Sequence, residues 1–165
     1  MYSKEDVTWL DGFLKGLVVA DSNADFLCYC ALEVELLSDD ISVSFMDFIN
    51  GQDEVHDIGI SSPKLQLSNP EEVKSWEDIL SKELRRLSGM SPKKKSRIES
   101  EIFDMVDAIC ECHGNNNVVT FDATMGRYSG IYVFCDIGGN KYLVLSFMIA
   151  TQDALVTASS PPAIQ

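Results

Sequence analysis

The stretch "GIYVFCDIGGNKYLVLSFMIA", residues 130–150, limits the fold more than any other. Two runs rich in β-branched and aromatic residues flank "GGN", a connection so short that it predicts a tight antiparallel hairpin. "VVTFDAT", from residue 118, reads as a further strand, and "TMGRYSG" at 124–130 as a turn that exposes Arg127 and Tyr128. The longest apolar run, "YLVLSFMIA", is strand-length and falls well short of the roughly 18–20 residues that span a bilayer. The sequence therefore gives no reason to expect a membrane-bound protein.

Upstream of these strands the hydrophobic period is helical. In "SNPEEVKSWEDILSKELRRLSG", Asn69 is placed to cap, Pro70 to take the first turn, and Glu71 and Glu72 to meet the helix dipole. Val73, Trp76, Leu80, Leu84 and Leu87 form its stripe, and Gly89 stops it. Ser91 to Gly114 repeats the plan with Ile98, Ile102, Met105, Val106 and Ile109. A connection of about three residues predicts an antiparallel helical pair.

The N-terminal third mixes both periods. Ser3, with Asp6 three residues on, resembles a capping box, and Trp9, Leu10, Phe13, Leu14 and Leu17 predict a helix to about residue 20. Gly12 and Gly16 weaken it. From Phe26 through Cys28, Cys30, Leu32, Val34 and Leu36 the period is two, and Ile41, Val43 and Phe45 continue it. With residues 37–40 as a loop, Leu36 would face Ile41, Val34 would face Val43 and Leu32 would face Phe45, a register in which both faces agree. Asn50-Gly51 is a turn signal, and "EVHDIGI" reads as a third strand.

The expectation is an α+β fold: N-terminal helix, antiparallel β-meander, central antiparallel helical hairpin and C-terminal antiparallel strands, with all strands in one sheet. A single domain over 1–150 suits the length, and 151–165 reads as a flexible tail. The N-terminus "MYSKEDVTWLDGF" lacks the basic-then-apolar build of a signal peptide. Five cysteines, an odd number, argue for reduced thiols over a disulfide framework, so the expected compartment is the cytoplasm.

Candidate chemistry is sparse. "CYC" at 28–30 and "CECH" at 110–113 supply zinc-type ligands. Cys28 and Cys30 fall on an apolar strand face, however, and Cys110 and Cys112 diverge by about 200° around a helix. Buried thiols account for them, and no metal or other cofactor is expected. His56, among Asp53, Glu54 and Asp57, has the surroundings of a general base, yet it shares a side with Ile58 and Ile60 and has no adjacent nucleophile. "DIGGNKY" is too short for a phosphate loop and is accounted for as a turn.

Charge is the informative property. The net charge is −13, and residues 1–60 hold thirteen acids against Lys4 and Lys15, a local balance of −11. One basic cluster, Lys82, Arg85, Arg86, Lys93, Lys94, Lys95 and Arg97, sits at the helix connection. A field of this sign repels nucleic acid and anionic membranes and attracts basic proteins. Glu33, Glu35, Asp39, Asp40, Asp53, Glu54 and Asp57 are the expected partner-binding residues of a non-enzymatic protein. Its expected role is an immunity or antitoxin-type inhibitor that occludes a basic partner such as a nuclease toxin. A small enzyme using His56 or His113, and a homo-oligomer joining basic connector to acidic strands, are the alternatives.

Overall fold

The computed structural model describes residues 4–21, 27–37, 39–52, 64–72, 76–110 and 118–150. Nine elements follow in chain order: α1 (Lys4–Ala20), β1 (Leu27–Glu35), α2 (Ile41–Gln52), β2 (Leu65–Glu72), α3 (Trp76–Leu84), α4 (Pro92–Cys110), β3 (Val118–Met125), β4 (Tyr128–Gly138) and β5 (Lys141–Ala150). Among the described residues the strands form one antiparallel sheet in the order β1-β5-β4-β3-β2. The fold is α+β, with helices between the first strands and the C-terminal ones.

The C-terminal strands follow the expected pattern. Gly138, Gly139 and Asn140 all take positive φ, at 89°, 63° and 62°, a run that glycine and asparagine tolerate best. Gly138 N–H donates to Asp136 Oδ1 at 2.8 Å, closing the bulge where the register shifts. Gly126, φ 61°, turns β3 into β4.

Each face of the sheet carries its own core. On one face Leu27, Tyr29, Val133, Leu145 and Phe147 pack against Leu10 and Leu14 of α1, Leu80 and Leu84 of α3, and Ile102 and Val106 of α4. On the other, Val34, Phe121, Tyr132, Phe134 and Val144 surround Phe45 of α2. The helical pair is antiparallel as expected: Ser81 of α3 hydrogen-bonds Glu99 of α4, and Lys95 Nζ donates to Arg85 O. Ser91 caps α4, its Oγ accepting Lys94 N–H at 3.3 Å. Buried Asp21, just past α1, accepts Gly89 N–H at 3.0 Å and ties the first helix to the α3–α4 connection.

Two segments differ from the sequence expectation. Residues 41–49 are not the second arm of a hairpin; they belong to α2. Asp40 caps that helix, its Oδ1 accepting Val43 N–H at 3.2 Å, and Ile41, Phe45 and Ile49, four residues apart, turn onto the sheet. β1 instead pairs with β5 along its whole length, and Leu36 N–H donates to Asn140 O at 2.8 Å. A chain-distant strand won over the local one because Cys28, Cys30, Leu32 and Val34 match β5 in register while Asp40 starts a helix. The second correction concerns Asn69 and Pro70, which do not begin a helix. They lie in β2, an edge strand, with Asn69 in a bulge and Pro70 just past it opposite Phe121, an edge position of the kind where proline is tolerated. Ser68 Oγ accepts Asp122 N–H there at 3.1 Å. Helix α3 starts at Trp76 and ends at Leu84, so the connection to α4 is longer than expected. The Ser3 cap, Val73, the strand expected at "EVHDIGI" and the tail 151–165 lie outside the described residues.

Candidate functional site: a cleft between the first helix and an edge strand

β1 is an edge strand, and an edge offers unpaired amides to any passing strand. α1 lies along it. Asp11 Oδ1 accepts the Ala31 N–H at 2.9 Å, capping one such amide, while its Oδ2 receives Lys15 Nζ at 2.7 Å. That hydrogen bond is the main reason the Lys15 ammonium is held above its ordinary pKa.

Beyond Ala31 helix and strand leave a cleft of about 470 Å³, lined by Thr8 and Asp11 from α1, Glu33 and Glu35 from β1, and Lys141 from β5. Pairing with β5 sets Glu35 opposite Lys141 and Glu33 opposite Leu143. Glu33 Oε1 stands 4.0 Å from Lys141 Nζ, at the limit of an ion pair. Its side chain is only 16% exposed, and among the described residues Oε2 is buried without a hydrogen bond. A buried carboxylate oxygen without a donor is costly, so the cleft holds acceptor capacity that the described residues leave unused.

Thr8 also borders a second hollow, of about 510 Å³, with Glu5, Trp9, Gly12 and Phe13. Trp9 is 64% exposed and stacks on Phe13, ring centroids 5.9 Å apart at 20°. An exposed tryptophan stacked on a half-buried phenylalanine therefore borders a hollow that shares Thr8 with the acidic cleft.

The acids expected to bind a partner divide into separate places. Glu33 and Glu35 come together, joined by Asp11. Asp39 and Asp40 line a different hollow, of about 710 Å³, with Ser42, Ser68, Pro70 and Phe121 near the β2 edge. Asp40 also has a structural duty: hydrogen bonds from Ser42 Oγ, 2.7 Å, and from Val43 N–H hold its carboxyl below the ordinary range. Asp53, Glu54 and Asp57 lie outside the described residues, as do His56, Cys112 and His113.

Trp9 was missed as a surface residue, because the sequence reading placed it in the core stripe; Phe13 is half-buried and does pack against that core. The signal was present: Val7, Leu10, Leu14 and Leu17 form one buried stripe, and Trp9, Gly12, Phe13 and Gly16 form a second, about 130° away.

The thiols differ from the expectation of uniform burial: Cys28 is exposed and Cys30 half-buried. Burial pushes Cys30 up to about 11. In the Cys110–Cys135 pair the shared hydrogen bond holds Cys110 below the ordinary thiol value and Cys135 well above it. Among the described residues no group of three His, Cys, Asp or Glu side chains is placed to hold a metal ion, and no helix is long and apolar enough to cross a membrane. The basic connector stays apart from the cleft: Arg86 pairs with Glu83 at 3.3 Å and Arg97 with Glu101 at 3.9 Å. No protein-family model, curated protein or solved structure matches the chain.

Proposed function

We propose that this is a non-enzymatic acidic binding protein whose partner is a basic protein, bound at the α1–β1 edge. The role that suits it is inhibition of the immunity or antitoxin type, by occluding the basic cleft of a partner such as a nuclease toxin. One observation carries the reading: Glu33 and Glu35 share a cleft with Asp11, one carboxylate oxygen of Glu33 is buried without a donor among the described residues, and exposed Trp9, stacked on half-buried Phe13, adjoins them. Aromatic anchors beside charge are what tight interfaces are built on, and the net charge of −13 steers cations towards the molecule.

Affinity capture tests the reading, using the natural chain beside a Glu33→Gln, Glu35→Gln variant. The natural chain should retain a basic protein, and the variant should lose it. So should ~1 M salt, where the screening length falls to about 3 Å. Retention that neither change disturbs, or turnover of a small substrate with no basic protein retained, contradicts the reading.

A further inference from the structure

Helix α1 carries two apolar stripes, and the fold uses one. Val7, Leu10, Leu14 and Leu17 are buried in the core. Trp9, Gly12, Phe13 and Gly16 run down a neighbouring face, where Trp9 is the most open and Phe13 half-buried. The two glycines are the telling residues. Glycine inside a helix is destabilising relative to alanine, and it is tolerated where another backbone must come close. A Cβ built on Gly12 or on Gly16 would meet nothing within 4 Å. Packing among the described residues therefore gives neither glycine a reason to be there. A second helix lying across them would supply it.

We propose that this face of α1 is the docking surface for a basic amphipathic helix of the partner protein. The inference rests on the binding function proposed above and names its occupant. Such a helix sets its apolar stripe on Trp9 and Phe13 and its backbone against Gly12 and Gly16. Its lysines or arginines then reach Glu5 at one rim and Glu33 and Glu35 across Thr8 at the other. Charge decides between occupants. A second copy brings another −13 and sets acidic rims against each other. The chain's own residues 151–165 contain Asp153 and no lysine or arginine. A basic helix complements both rims.

The test uses the full chain and two labelled synthetic peptides that share one helical leucine stripe, flanked in the first by lysines and in the second by glutamates. Fluorescence anisotropy should show the lysine peptide binding and the glutamate peptide at least about tenfold weaker. The Gly12→Ala, Gly16→Ala variant should melt at higher temperature than the natural chain and yet bind the lysine peptide about tenfold more weakly. Because that variant is the more stable fold, lost binding cannot be lost folding. Trp9→Ala should weaken binding as well.

An unchanged affinity in the double-glycine variant overturns the inference. If that result comes with binding lost in Glu33→Gln, Glu35→Gln, the acidic-edge function stands and the docking face lies elsewhere. Equal binding of the two peptides, or binding of neither, overturns both. Self-association broken by the glycine variant assigns the face to a second copy. Affinity raised about tenfold by deleting 151–165 assigns it to the chain's own end. Either outcome also overturns the inference.

Discussion

Val43 separates the helical from the extended reading of residues 41–49, because both readings bury Phe45 and only the extended one buries Val43 as well. In α2, Phe45 is 0% exposed and meets Tyr132 and Phe134 edge-to-face, at centroid distances of 5.2 and 4.9 Å. Phe→Ala in such a site loses about 3–5 kcal/mol, which combines transfer of the ring with the cavity left behind. The edge-to-face contacts favour the upper half of that range. Against a total stability of roughly 5–15 kcal/mol this is a large fraction. Val43 is 48% exposed on the opposite side of the helix. Val43→Ala removes two half-solvated methyls, worth about 0.8 kcal/mol together. Alanine's better helix propensity returns about 0.5 kcal/mol, so the net change is within about 0.5 kcal/mol of zero. A strand with Val43 packed against Val34 would instead lose about 2 kcal/mol on the same change. Urea unfolding followed by circular dichroism measures both variants, and a shifted midpoint with unchanged slope reports stability alone. A Val43→Ala loss of about 2 kcal/mol, or a Phe45→Ala loss under about 1 kcal/mol, would refute the helical placement.

Four further outcomes follow from single contacts. Gly130→Ala would drive a Cβ into Phe147 O and to 2.9 Å from Met148 Cα, both backbone atoms of β5. It should cost about 3 kcal/mol in a thermal melt, and a melt like that of the natural chain contradicts so close an approach. Asp21→Ala removes the acceptor of Gly89 N–H and should cost about 1.5–3 kcal/mol, with Asp21→Asn losing less; equal losses would mean that the hydrogen bond is not what matters. Glu83 is buried, and burial raises its carboxyl pKa despite Arg86 nearby. A folded pKa above the unfolded one means that stability is lost as pH rises through it. Glu83→Gln should therefore gain on the natural chain between about pH 4 and pH 7 in paired melts, and a gap constant with pH would deny the shift. Gly12→Ala and Gly16→Ala should each stabilise the isolated chain by up to about 1 kcal/mol; destabilisation would reveal an internal contact at that face.

Strands whose partner is a tight turn away were legible from residues alone: β4, β5 and the glycine turn between them match the reading closely. α4 was legible for a similar reason, since Ser91, Pro92 and the Ile98–Ile102–Val106–Ile109 stripe all lie within one segment. The errors came where two periods fit the same residues. Ile41, Val43 and Phe45 suit a strand, while Ile41, Phe45 and Ile49 suit a helix, and what decided was Asp40 capping locally and β5 pairing from more than a hundred residues away. The acids were visible as a charge imbalance, but not their allocation. Charge counting cannot tell that Asp40 caps a helix, that Asp11 seals an edge amide, or that Glu33 keeps an oxygen unused. Nor can it tell that Trp9 points away from the core.

Backbone amide NMR shifts across a titration with the lysine-flanked peptide offer the most direct measurement of where basic ligands land. Saturable changes should gather on Thr8, Trp9, Gly12, Phe13 and Gly16 and on the Glu33–Glu35 edge, leaving the hollow at Asp39 and Asp40 quiet. Shifts centred on that hollow, shifts scattered over every acidic residue, or a spectrum that does not move would contradict the account.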